Sequence, residues 1–258
     1  MIKTVVEWGV FPILFIGIIL FIEAGRRLRN LHPDTEAETG GKGLEVVEGA
    51  VFGLMALMIA FTFSGAATRF DWRRQLVTEE ANCLGTAYLR IDYLPESHQP
   101  SIREKFRQYT DSRLEMYQVL PDVEAAKSAF SRSNELQGEI WKEARAAVQA
   151  DPDMRSALLF IPALNEMFDI GTTRYMAAQF HTPTVILFLL VVLTWFCALL
   201  AGYRLGGEAQ RKWIHMVIFA ALMSLTIYVI IDYEYPRIGL IHLEQHDEIL
   251  RAARASMQ

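Results

Sequence analysis

Four apolar blocks, each close to the length of a membrane-spanning helix, constrain this chain more than anything else in it. They run from Val5 to Ile22, Ala50 to Ala67, Val185 to Ala201 and Trp213 to Ile231. Crossing a bilayer takes about 20 apolar residues in a helix, and each charge buried there costs at least about 2.5 kcal/mol. The last three blocks hold no Asp, Glu, Lys or Arg, and Glu7 of the first sits near its start, within reach of headgroups. A soluble chain with the same 52% of hydrophobic residues would spread them at period 2 or 3.6 instead. The pattern predicts four transmembrane helices. Lys3 ahead of the first block invites comparison with a signal peptide. The block is long for one, however, and Glu23-Ala24-Gly25-Arg26-Arg27 lacks a small-x-small cleavage site, so it is read as the first span.

Between the second and third spans, Arg69 to His181 is polar but keeps helical spacing. Leu76, Ala81, Leu84, Ala87, Tyr88 and Ile91 carry the second span onward as one long helix until Leu94-Pro95. Ser101–Met116 and Val123–Val148 read as two further helices. Asp151-Pro152 opens a fourth that runs toward Gln179, with Asp151 as its N-cap, and Thr182-Pro183 launches the third span. No strand candidate occurs. The expected fold is an all-α membrane protein with four transmembrane helices and a helical water-facing domain inserted between spans two and three. Its expected divisions are 1–68, 69–181, 182–232 and a C-terminal tail at 233–258.

The charges and motifs remove several function classes. A net charge of −5 leaves no basic face for nucleic acid. No catalytic motif, phosphate-binding glycine loop or metal-ligand spacing is present, so neither an enzyme nor a cofactor or metal is expected. His242 and His246 stand i, i+4, which is only two ligands. Cys83 and Cys197 fall in different parts of the topology and are read as small apolar residues. Glu79-Glu80, and Glu166 with Asp169, could hold a divalent cation. The simpler reading pairs them with Arg73, Arg74 and Arg90. Basic residues flank both membrane faces in nearly equal number, so charge does not orient the chain.

The second span is the most informative segment. Gly49, Gly53, Ala56, Ala60 and Ser64 recur every three or four residues as a stripe of small side chains, flanked by Leu57 and Phe61. Such a stripe lets helices pack closely in lipid. It also suits a helix that lines a pore, where apolar rings gate by dewetting.

At this segment a resemblance emerges. Ala60-Phe61-Thr62-Phe63-Ser64-Gly65-Ala66, with Thr68-Arg69-Phe70 and Asp71-Trp72-Arg73-Arg74 after it, is similar to the second span of the bestrophins. Glu79-Glu80-Ala81-Asn82, Leu164-Asn165-Glu166-Met167-Phe168-Asp169 and Asp232-Tyr233-Glu234-Tyr235-Pro236-Arg237-Ile238-Gly239 extend the likeness over nearly the whole chain. With these segments the chain resembles the bacterial bestrophin-like membrane proteins, which are remotely related to bestrophin anion channels. The resemblance implies a homo-oligomer, a pentamer by analogy, in a bacterial inner membrane. Inorganic ions and the lipid bilayer would be its other partners, and the inserted domain and both termini would be cytoplasmic. It implies a pore lined by the second span with a constriction at Phe61, Leu57 and Gly53. At Gly53 the family carries a bulkier residue, so the neck would be shorter or wider. Arg69, Arg73, Arg74, Glu79 and Glu80 would stand at the pore exit and subunit interface. Asp232, Glu234, Pro236 and Arg237 read as a structural clamp, because Pro236 stops the last span where the carboxylates reach the interface. Two other readings stay open: a membrane-anchored interaction or sensory protein, and a channel for cations.

Overall fold

The computed structural model describes residues 9–31, 42–120, 122–151, 154–206, 212–236, 240–241 and 244–257. Helices α1 (Val10–Leu31), α2 (Lys42–Leu89), α3 (Gln99–Gln118), α4 (Val123–Ala150), α5 (Arg155–Gln179), α6 (Thr184–Leu205), α7 (Trp213–Glu234) and α8 (Glu244–Ala255) follow in chain order. A short 3-10 turn, Arg90–Tyr93, ends α2 as Leu94-Pro95 approaches. Among the described residues there is no strand. The chain forms two compact units. One comprises Met1–Arg69 with His181–Ile241, the other Phe70–Phe180 with His242–Gln258. The C-terminal helix α8, placed in a separate tail by sequence, belongs to the second unit.

Among the described residues, three helical stretches, Glu45–Tyr93, Ser156–Leu205 and Trp213–Glu234, are long and apolar enough to cross a membrane. The second is interrupted at 180–183, where α6 begins anew behind Pro183. The start of the expected first span lies outside the described residues. The helix that follows, α1, is apolar to Ile22 and then carries Glu23, Arg26, Arg27 and Arg29.

In the first unit α1 lies against α6 at a separation only glycine permits. A Cβ placed on Gly25 would sit 2.0 Å from the Leu199 carbonyl oxygen, and one on Gly202 would sit 2.0 Å from that of Ile22. Close backbone approach through small residues is the usual means of helix association where no hydrophobic effect drives it. Phe21 stacks on Trp195 beside this contact at 5.3 Å. Ile18, Ile22, Ala198, Met216 and Ala220 fill one core, and Leu14, Met55, Ala66, Leu190, Cys197 and Ile227 fill another.

The second unit is a helical core around Leu84, Ile91, Ile102, Phe106, Tyr109, Ile140, Phe160 and Leu164, closed by Leu250 of α8 and by Met257 just after it. Asp122 caps α4 through the Ala125 amide, 3.1 Å away. The start of α5 differs from the sequence reading. The helix opens at Arg155 behind Met154, whose φ is 53°, rather than directly after Asp151. The Asp151 carboxylate instead accepts from the amide and hydroxyl of Ser156, at 2.9 and 2.6 Å. Pro162 lies inside α5 and has no N–H for the turn before it, where Arg90 donates to the Leu159 carbonyl at 2.8 Å.

Candidate functional site

The helix that carries the small-residue stripe, α2, is filled on one side and open on the other. In the first unit Met55, Thr62 and Ala66 are buried. Val46, Leu54, Leu57 and Phe61 are 50 to 73% exposed, and Ala56, Ala60 and Ser64 are exposed among them. A Cβ built on Gly49 or Gly53 meets no atom within 4 Å. The stripe is therefore not used to pack this chain on itself. That contact is made by Gly25 and Gly202, which sequence reading did not single out, although Gly17 and Gly25 on α1, and Gly202 on α6 with Gly206 just after it, were there to see.

Where α2 leaves the apolar region, Arg69 grips Glu234. Its Nε donates to both carboxylate oxygens at 3.2 Å and its Nη2 to Oε2 at 2.8 Å. The Glu234 side chain is 1% exposed and also accepts from the Thr182 amide at 2.6 Å and the Thr182 hydroxyl at 3.2 Å. His181 Nδ1 lies 3.6 Å away, its ring stacked on Tyr235 at 4.5 Å. One residue earlier, Tyr233 meets Phe63 of α2 edge-on at 5.7 Å. Asp232 turns the chain after α7 by accepting from the amides of Leu240 and Ile241, and Pro236 is buried there. Arg237 lies outside the described residues. The sequence assigned Arg69 to a pore exit and Glu234 to a clamp; the structure makes them partners.

In the second unit the remaining charged candidates separate. Arg73 is buried and caps the C-terminal end of α5, donating to the carbonyls of Ala177 and Phe180 at 3.1 and 2.5 Å. Arg74 pairs with Asp71 on the surface at 3.3 Å. Glu79 is exposed and lines an open groove of about 380 Å³ with Asn82, Cys83, Glu166, Asp169 and Thr173. Among the described residues no group of three or more potential ligands is arranged to hold a metal. Cys83 and Cys197 are free thiols.

Glu80 is different: its side chain is wholly buried. Its two oxygens take Arg113 Nε at 2.5 Å and Arg174 Nη1 at 2.6 Å, and Arg174 Nη2 reaches Asp247 at 2.8 Å. Arg113 also donates to the Gly171 carbonyl at 2.8 Å, and the Arg174 guanidinium lies 3.7 Å over the Tyr117 ring. Two cations and two anions thus join α2, α3, α5 and α8. Burial pushes the Glu80 carboxyl up, but the charges and hydrogen bonds of Arg113 and Arg174 outweigh it and hold it below its ordinary value. The partners expected from sequence, Arg73, Arg74 and Arg90, are all engaged elsewhere. Arg113 had a signal that went unused: it falls on the apolar face of Ile102, Phe106 and Tyr109, a charged residue at a core position.

The sequence model of the bestrophin-like domain matches residues 26–246 of this chain. The chain belongs to the bestrophin-like family. The fold agrees with solved bestrophin structures. A variant of a bacterial bestrophin homologue from Klebsiella pneumoniae superposes on the bestrophin-like chain with a TM-score of 0.69 at 13% identity, covering 96% of this chain and 97% of that one. A second crystal structure of the Klebsiella homologue gives 0.66 at 14% identity, with 94% and 96% covered. A crystal structure described as a membrane protein variant gives 0.68 at 13%, with 95% and 96% covered. At such identities the likeness is one of fold. No curated protein matches the chain.

Proposed function

We propose that this bestrophin-like protein is a passive ion channel, built from several copies of the chain around a pore lined by α2. The observation that carries this reading is the exposed apolar face of α2, where Leu57 and Phe61 stand one turn apart, 50 and 68% exposed among the described residues, with Gly53 beyond them. Around an axis, such a face makes a narrow apolar ring that ions cross at a cost. In this reading α1 is a fourth span, the protein sits in a bacterial inner membrane, and the second unit and both termini are cytoplasmic. Five copies and anion conduction follow the family resemblance.

A second reading of the ion is favoured by one observation. In the second unit α2 exposes Gln75, Thr78, Glu79, Asn82 and Thr86, while Arg69 is engaged by Glu234, Arg73 by helix carbonyls and Arg74 by Asp71. A vestibule of that composition favours cations over chloride. Purified protein in liposomes, with potassium and chloride flux read separately under a salt gradient, decides both points. Flux of either ion supports the channel and its sign chooses between the readings. No flux across several lipid compositions and pH values would favour a membrane-anchored interaction protein. Orientation is tested with a single cysteine near Glu124, whose side chain is 84% exposed. Labelling by an impermeant thiol reagent in intact spheroplasts would overturn the cytoplasmic assignment.

A further inference from the structure

We propose that Glu234 is a positioning residue for the pore helix: by gripping Arg69 it fixes the rotation of α2 about its own axis and ties that rotation to the start of α6. The inference rests on the channel reading, which supplies the pore.

The geometry is that of a rotational lock. Arg69 follows Phe61 by eight residues, which on a helix is about 12 Å along the axis and about 80° around it. Turning α2 at Arg69 therefore swings Leu57 and Phe61 by the same angle relative to the rest of the unit. A guanidinium holding a carboxylate through two nitrogens constrains direction as well as distance. Arg69 does so from Nε and Nη2, and Nη2 also donates to the Thr182 hydroxyl at 2.5 Å. Phe63, against Tyr233, adds a second point of contact from a different side of α2. Both contacts come from adjacent residues at the end of α7.

Glu234 is also a partner shared by Arg69 and Thr182. The Thr182 amide that it accepts opens the turn into α6, just after His181. Any displacement of that turn pulls on the same carboxylate that holds Arg69. The carboxylate is buried, so water does not replace a lost partner cheaply. The arrangement favours one rotation of α2.

The test uses the full-length protein carrying Cys83→Ser and Leu57→Cys. The rate of thiol labelling reports how the constriction face is presented. Glu234→Gln keeps a side chain of the same shape, with one oxygen still able to accept from Thr182, but loses the charge that holds Arg69. In assemblies of the parent's size, read well below the melting temperature of each variant, labelling and flux should change by about fivefold or more, the scale of a typical coupling between sites. Arg69→Gln should produce the same change, and the double variant no more than either alone, because the two residues act as one unit. Unchanged labelling in both single variants, or strictly additive effects in the double, would overturn the proposal. Absence of flux in the parent would sink the channel reading alone, since the labelling rate reads rotation without it.

Discussion

Asp247, near the start of the last helix, lies 2.8 Å from Arg174, and both side chains are only 4% exposed. It supplies the second negative charge of a site that otherwise holds Glu80 against two guanidinium groups. Breaking a buried pair by removing one partner leaves the other charge in a medium that solvates it poorly, at a cost of about 3–5 kcal/mol. Asp247→Ala should destabilise the protein by that order. Asp111→Ala, which breaks the surface pair with Arg254, should cost under about 1 kcal/mol. Denaturant unfolding of both variants in the same detergent checks the contrast.

Gly25 and Gly53 are the same residue in consecutive helices with opposite expectations. A methyl group on Gly25 collides with a backbone oxygen that cannot step aside, so Gly25→Ala should cost about 3 kcal/mol or more. Gly53→Ala meets nothing within 4 Å and should leave the stability of the protomer within about 0.5 kcal/mol of the parent. Gly53→Leu should fold but weaken assembly or block flux, because the added volume falls where neighbouring copies would meet. Unfolding curves, native mass spectrometry and liposome flux separate the three outcomes.

Phe61 is 68% exposed, too open for a core aromatic. Truncating a buried Phe costs about 3–5 kcal/mol, so Phe61→Ala should lose much less than that. If Phe61 narrows a pore, the variant should conduct more than the parent or lose its gating. A large drop in stability with flux at background would place Phe61 in the core of an assembly rather than at a constriction.

The buried network also predicts a pH response. Glu80 has its proton affinity depressed in the folded state, so the unfolded chain binds a proton more readily. Its contribution to stability is complete above the ordinary carboxylate value of 4.5 and is lost as pH falls through the lower folded value. Tyr109 runs the other way. Burial pushes its phenol from 10.0 up to about 12, so the stability it contributes is present below pH 10 and lost as pH rises toward 12. That loss amounts to about 2–3 kcal/mol. Melting temperature against pH, with Glu80→Gln and Tyr109→Phe as controls, reads both limbs; each control should flatten the limb its residue produces.

Local pattern alone predicted the long apolar helices α2, α6 and α7, the continuation of α2 to Leu94-Pro95, and the helices near 101–116 and 123–148. Each rests on a run of neighbouring residues whose spacing is visible in one dimension: charge-free stretches of spanning length, or apolar positions every three or four residues. The face of α2 that carries Gly53, Leu57 and Phe61 was read from the same kind of local spacing. What the sequence could not supply was pairing. Arg69 and Glu234 are 165 positions apart, and Glu80 and Arg174 are 94 apart. Nothing local distinguishes an arginine that will meet a buried carboxylate from one that caps a helix, as Arg73 does, or from one left at the surface, as Arg74 is. The glycines show the same limit. A small residue permits a close contact but does not choose its partner. Gly25 finds a carbonyl of α6 at contact distance, while Gly53 has open space around it. Packing of separate helices makes that choice, because only packing decides which charges lose water and must find each other.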